Sequence, residues 1–146
     1  MTDPLSVTAS VIAVATLAWQ SSKAAYEMID GLAGAPDAIA RSQDVLSQTQ
    51  TTINGLKETI VPGKASAEFE SVLRRVDLNV ALKSATQLCD SFTTMIKDVT
   101  SHSTDAKFSK RDRLAVTLRE SKIIRFNMQL GDCQRTLSVV LAAVNL

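Results

Sequence analysis

Seven residues near the end of the chain, Ile123, Phe126, Leu130, Cys133, Leu137, Val140 and Val144, alternate spacings of three and four without a break. At 3.6 residues per turn an α-helix brings all seven onto one stripe, which is the pattern a helix shows to a bundle. In a strand the same side chains would scatter over both faces. This segment therefore needs helical partners, and the rest of the sequence supplies them.

A second helix reads from Pro36 to about Val61, with Ile39, Leu46, Ile53 and Ile60 seven apart and Leu56 on the intermediate turn. Its remainder is rich in Ser, Thr and Gln and is interrupted by Gly55, so it should be the least stable helix. Pro62-Gly63 ends it. A third helix is expected over about Ser66 to Ser101, presenting Phe69, Val72, Val76, Val80, Leu88, Phe92, Met95 and Val99 on one face. The polar stretch His102 to Ser109 makes the last loop, with Ser109 and Asp112 placed as a capping box. Leu114 and Leu118 extend the apolar surface of the last helix upstream, slightly off its stripe.

Before these comes a run of different character. Asp3-Pro4 opens a helix with a capping residue and a proline at the first helical position. From Leu5 to Trp19 the fifteen residues LSVTASVIAVATLAW carry no charge, and the helix then runs to about Asp30. Val7, Val11, Val14 and Ala18 lie on one side and Ile12, Ala15 and Trp19 on another, so such a helix should be buried on most of its circumference. A span of the bilayer needs about 20 apolar residues, and the hydroxyls of Ser6, Thr8, Ser10 and Thr16 further weaken a permanent anchor. A conditional membrane segment and the central helix of a bundle are both consistent with it. In the first case Ala9, Ser10, Ala13, Ala15 and Ala18 permit close helix approach in lipid, while Trp19 and Lys23 sit near the interface.

The fold expected is all-α: one domain over residues 1–146, an antiparallel bundle of four main helices with a long apolar N-terminal helix. Aromatics at 4% with five Gly and three Pro leave little material for sheets, and 45% hydrophobic against 21% charged residues excludes disorder.

The net charge of +1 hides an asymmetry: residues 1 to 70 are acidic, whereas 97 to 125 carry eight basic side chains against four acidic ones. That basic segment reads as a site for phosphates or anionic lipid heads, or as a solvated helix face with Asp98, Asp105, Asp112 and Glu120 interleaved. Cys89 and Cys133 lack zinc-site spacing and are expected as small core residues. The acidic start, Met1-Thr2-Asp3-Pro4, has no secretory flank, so cytoplasmic synthesis is expected. For catalysis the inventory is thin. His102, the one histidine, stands in a predicted loop without a nucleophile beside it, and no carboxylates pair at site-like spacing. No enzyme activity, cofactor, metal or nucleic-acid partner is expected.

The opening Asp3-Pro4-Leu5-Ser6-Val7-Thr8-Ala9-Ser10-Val11-Ile12-Ala13-Val14-Ala15-Thr16, with Ser21-Ser22-Lys23 and Tyr26, closely resembles the start of the fungal HeLo-like N-terminal domain. His102-Ser103-Thr104-Asp105 with Arg111-Asp112-Arg113-Leu114, and Leu130 with Thr136-Leu137-Ser138, match in the same order. That family commonly heads large NOD-like or ankyrin-repeat proteins of the STAND type, and also proteins named after azaphilone pigment clusters. The resemblance implies a cell-death execution domain that oligomerises, exposes its N-terminal helix and permeabilises membrane. Leu5, Val7, Val11, Ile12, Val14, Leu17 and Trp19 would insert, and Lys107, Lys110, Arg111 and Arg113 would hold anionic head groups. The expected partners are membrane lipid on activation, further copies of the chain, and covalently linked nucleotide-binding and repeat domains. The alternatives are a protein-protein interaction module and an accessory protein or small-molecule carrier of a secondary-metabolite cluster.

Overall fold

A computed structural model describes residues 4–30, 36–60, 78–100 and 110–144, apart from the side chains of 4–8, 110, 111, 113 and 144. Among these residues every element is an α-helix: α1 (Pro4–Asp30), α2 (Asp37–Thr59), α3 (Leu78–Val99), α4 (Lys110–Leu118) and α5 (Glu120–Val144). The single last helix expected from sequence is divided at Arg119. There Arg119 N–H bonds back to the Val116 carbonyl three residues earlier, and the Arg119 carbonyl accepts from Lys122 and Ile123.

Each long helix buries one three-four stripe. In α1 it is Val11, Ala15, Ala18, Ser22, Ala25 and Ile29; in α2, Ile39, Ser42, Leu46, Thr49, Ile53 and Leu56, with Ile60 just beyond; in α5, Ile123, Phe126, Leu130, Leu137 and Val140. The stripe of α3 is Leu78, Leu82, Ala85, Cys89, Phe92, Ile96 and Val99. This corrects the expected face of the third helix. Of the residues named for it, Phe92 and Val99 are buried, Leu88 and Met95 only half-buried, and Val80 is exposed; Phe69, Val72 and Val76 lie outside the described residues. Choosing the largest side chains shifted the stripe by a third of a turn from the one that Ala85 and Cys89 complete. Leu114 and Leu118 likewise face water, and Val116 is buried in their stead.

The four long helices form a ring in which α1 adjoins α2 and α3, and α5 adjoins the same two, so that α1 faces α5 and α2 faces α3 across diagonals. Directions alternate along the chain. Val11 to Ala18 share a cluster with Ile53 to Ile60, Leu78, Leu82, Leu137 and Val140, while Ala25 and Ile29 join the other ends of the same helices. Sequence neighbours α2 and α3 are therefore not spatial neighbours, unlike the simplest up-down arrangement, and the adjoining pairs α1/α3 and α2/α5 run parallel. Close approach makes this possible. The α1 stripe is mostly Ala and Ser, and a Cβ on Gly55 of α2 would stand 3.0 Å from Leu141 Cδ2 of α5.

Between the two apolar clusters lies a belt of buried hydroxyls: Ser22, Thr49 and Thr52. Each bonds a carbonyl of its own helix: Ser22 Oγ to Trp19, Thr49 Oγ1 to Val45 and Thr52 Oγ1 to Gln48, at 2.7–2.9 Å. Burial without a partner is thereby avoided. Gln134 Nε2 donates to Thr52 Oγ1 at 3.2 Å and to Ser138 Oγ at 2.8 Å, so α5 is tied to α2 at this level.

Candidate functional site

The residues expected to insert into membrane do not form one face of α1. Val11 is buried, Ile12, Val14 and Trp19 pack half-buried against the core, and Leu17 is 57% exposed. The side chains of Leu5 and Val7 lie outside the described residues. A 27-residue helix is present, yet it is not an apolar cylinder enclosed by the others. Ser10, Ala13, Leu17, Gln20, Ala24 and Glu27 face water, and among the described elements α1, at a corner of the ring, adjoins two neighbours. No described helix is long and apolar enough to cross a membrane. Two cations stand over Trp19: Lys23 Nζ lies 5.1 Å and Lys57 Nζ of α2 5.7 Å from its ring centroid, within cation–π range. Lys23 also pairs with Glu27 at 3.7 Å.

Of the residues assigned to head groups, Lys107 lies outside the described residues. Lys110, Arg111 and Arg113 belong to α4, but their side chains are not described. Asp112, between them, is buried. His102 and Asp105 are also outside the described residues.

Among the described residues a concavity that periodicity did not reveal runs along the seam between α3 and α5. It begins as a space of about 460 Å³ near Ser84, Gln129 and Cys133. It continues as one of about 360 Å³ over Leu88, Phe92, Met95 and Phe126, and ends between Lys97, Asp98 and Arg119. Beneath the middle section Phe92 and Phe126 stack, with ring centroids 4.1 Å apart and planes inclined by 15°. Above it stand Lys122 and Arg125, both exposed on α5. Arg119 is engaged with Asp98 at 3.3 Å and Arg135 with Asp132; neither Lys122 nor Arg125 has a salt bridge among the described residues. The sequence signal existed in the recurrence of Arg119, Lys122 and Arg125 beside Phe126, but the wall opposite comes from α3.

Both cysteines are free. Burial, reinforced by Asp90 and Cys133, pushes the Cys89 thiol up to about 12, and burial raises that of Cys133, which lines the groove. Low-pKa thiolate chemistry is not what such thiols offer. No cluster of three or more His, Cys, Asp or Glu able to hold a metal occurs among the described residues.

Fold and site thus define a class: an all-α bundle with an open, basic-rimmed groove along one helix seam. The chain belongs to the family described as pigment biosynthesis cluster protein PigL N-terminal, whose model matches residues 2–146. No curated protein and no solved structure matches it.

Proposed function

We propose that this chain is a non-enzymatic accessory domain of a pigment-biosynthesis system, acting by binding. The observation that carries the reading is the family match over residues 2–146. The groove along α3 and α5 supports it, being a concave surface with an apolar floor and a few polar groups, as binding sites generally are. Disrupting the coding sequence in its host is expected to change pigment yield or composition. The purified chain, incubated with pathway intermediates, is expected to return them unaltered. Turnover of an intermediate, or wild-type pigment from the disrupted strain, would refute the proposal.

A second reading is favoured by the uncharged outward stripe Ser10, Ala13, Leu17 and Gln20 of α1. It is conditional membrane association by oligomers of a cytoplasmic protein, as in the HeLo-like domains the sequence resembles, with linked receptor domains as the trigger. Leu17→Asp tests it without touching the core, since Leu17 is exposed. Liposome leakage by wild-type protein that this variant loses, at unchanged helicity, is the expected result; leakage absent from wild type, or equal in both, rejects the reading.

A further inference from the structure

We propose that the α3–α5 groove binds a small anionic amphiphile, an apolar body lying over Leu88 and Met95 with one acidic group held between Lys122 and Arg125. This deepens the accessory-domain reading and rests on it for biological meaning. Ligand binding and pigment output are measured separately, so either can fail alone.

Four observations converge. The middle section of the groove measures about 360 Å³, within the range of small-molecule sites. Its floor is apolar: Met95 and Leu88 are half-buried, and the stacked rings of Phe92 and Phe126 beneath them make it firm. Methionine adapts to irregular apolar shapes, which suits a ligand surface better than a close-packed core. No acidic residue lines this section, while Ser91 and Gln129 add hydrogen-bonding groups at the rim.

Charge decides the ligand class. Lys122 and Arg125 stand three apart on α5, so their side chains lie on neighbouring turns of one face. Both are exposed and without a salt bridge among the described residues, whereas the flanking Arg119 and Arg135 are already paired. A carboxylate, sulfonate or phosphate placed there meets two cations with no competing acid on the wall. An uncharged ligand would use the floor and the rim hydrogen-bonding groups but neither cation. The shared chemistry admits a flat aromatic acid or an acyl chain with an acidic head, and the experiment separates them.

Titration of the full chain with anilinonaphthalene sulfonate, followed by fluorescence, is expected to saturate at one probe per chain with the near-ultraviolet dichroism unchanged. Competition with naphthoate and with laurate distinguishes flat from linear bodies, and the matching alcohols report the role of charge. We expect at least one acid to displace the probe about ten-fold more effectively than its alcohol. The double variant Lys122→Gln/Arg125→Gln is expected to weaken probe and acid alike by about ten-fold. Lys83→Gln, an exposed charge on α3 that lines no section of the groove, should leave binding unchanged. Bound ligand should shift the Met95 methyl resonance in ¹³C-methyl spectra. Equal binding of acids and alcohols, unchanged affinity in the double variant, or binding to anionic vesicles without binding to monomeric acids would each overturn the proposal.

Discussion

The bond between Ser42 of α2 and Asn127 of α5 offers the most direct test of why these two helices run side by side and parallel. Ser42 Oγ lies 2.6 Å from Asn127 Oδ1, with the Ala38 carbonyl at 3.1 Å as a second acceptor. Asn127 Nδ2 donates to that same carbonyl at 3.3 Å. Asn127→Ala removes both links to α2 but leaves the fully buried Ser42 hydroxyl its fallback acceptor. Two neutral hydrogen bonds at about 1 kcal/mol each set the scale, and the loss expected is about 1–2 kcal/mol. Ser42→Ala forfeits one bond and leaves a half-buried acceptor that water can reach, so about 1 kcal/mol is expected. The shared bond is counted in both single variants. The double variant should therefore be destabilised by about 1 kcal/mol less than the sum. Urea unfolding followed by circular dichroism, with an unchanged m-value, reads all four proteins. Additivity within about 0.3 kcal/mol would show that the two side chains do not interact, and the network would then have no part in aligning α2 with α5.

Three further outcomes follow from the geometry. Phe92→Leu and Phe126→Leu should each weaken the bundle, and their double-mutant cycle should return a coupling of about 0.5–1.5 kcal/mol from the stacked rings; zero coupling would remove stacking as a contributor. With a chromogenic disulfide reagent at neutral pH, half-buried Cys133 should react and fully buried Cys89 should stay protected until unfolding; equal rates would contradict the burial. The Cys89 thiol rises from 9.0 unfolded to about 12 folded, so its stabilising contribution is complete below pH 9 and is lost as pH climbs toward 12. Cys89→Ala should therefore show less loss of stability over that interval than wild type.

Much of the bundle was legible because its stripes are regular. Ile123, Phe126, Leu130, Leu137 and Val140 of the α5 stripe and the α2 series Ile39, Leu46, Ile53, Leu56 and Ile60 are buried as their spacing requires, whereas Cys133, expected in the core, is half-buried and lines the groove. Periodicity weighted by size misjudged α3, where Ala85 and Cys89 carry the stripe while bulkier Val80 faces water. It also overrated α1, since an uncharged sequence does not say how many neighbours a helix has. Ring order was illegible, because spacing fixes which face is buried but not against which helix. The groove escaped for the same reason: Lys122 and Arg125 read as surface charges until α3 supplies the opposite wall. The groove over 88–95 and 122–129 thus stands as a second candidate beside the expected insertion by α1 and head-group binding by 107–113.

The belt of Ser22, Thr49 and Thr52 gives the molecule a waist. Apolar contacts above and below it are each continuous, but across it they are thinned by hydroxyls that donate to carbonyls of their own helices, with Gln134 of α5 reaching Thr52 of α2 as a crosswise tie. The natural unit of partial opening is thus half a bundle. The half containing Val11 to Ala18 can loosen at its end of the rod while Phe92 and Phe126 keep the α3–α5 groove intact at the other. A ligand seated there would tighten one half and leave the amino-terminal turns of α1 as free to part from the bundle as before.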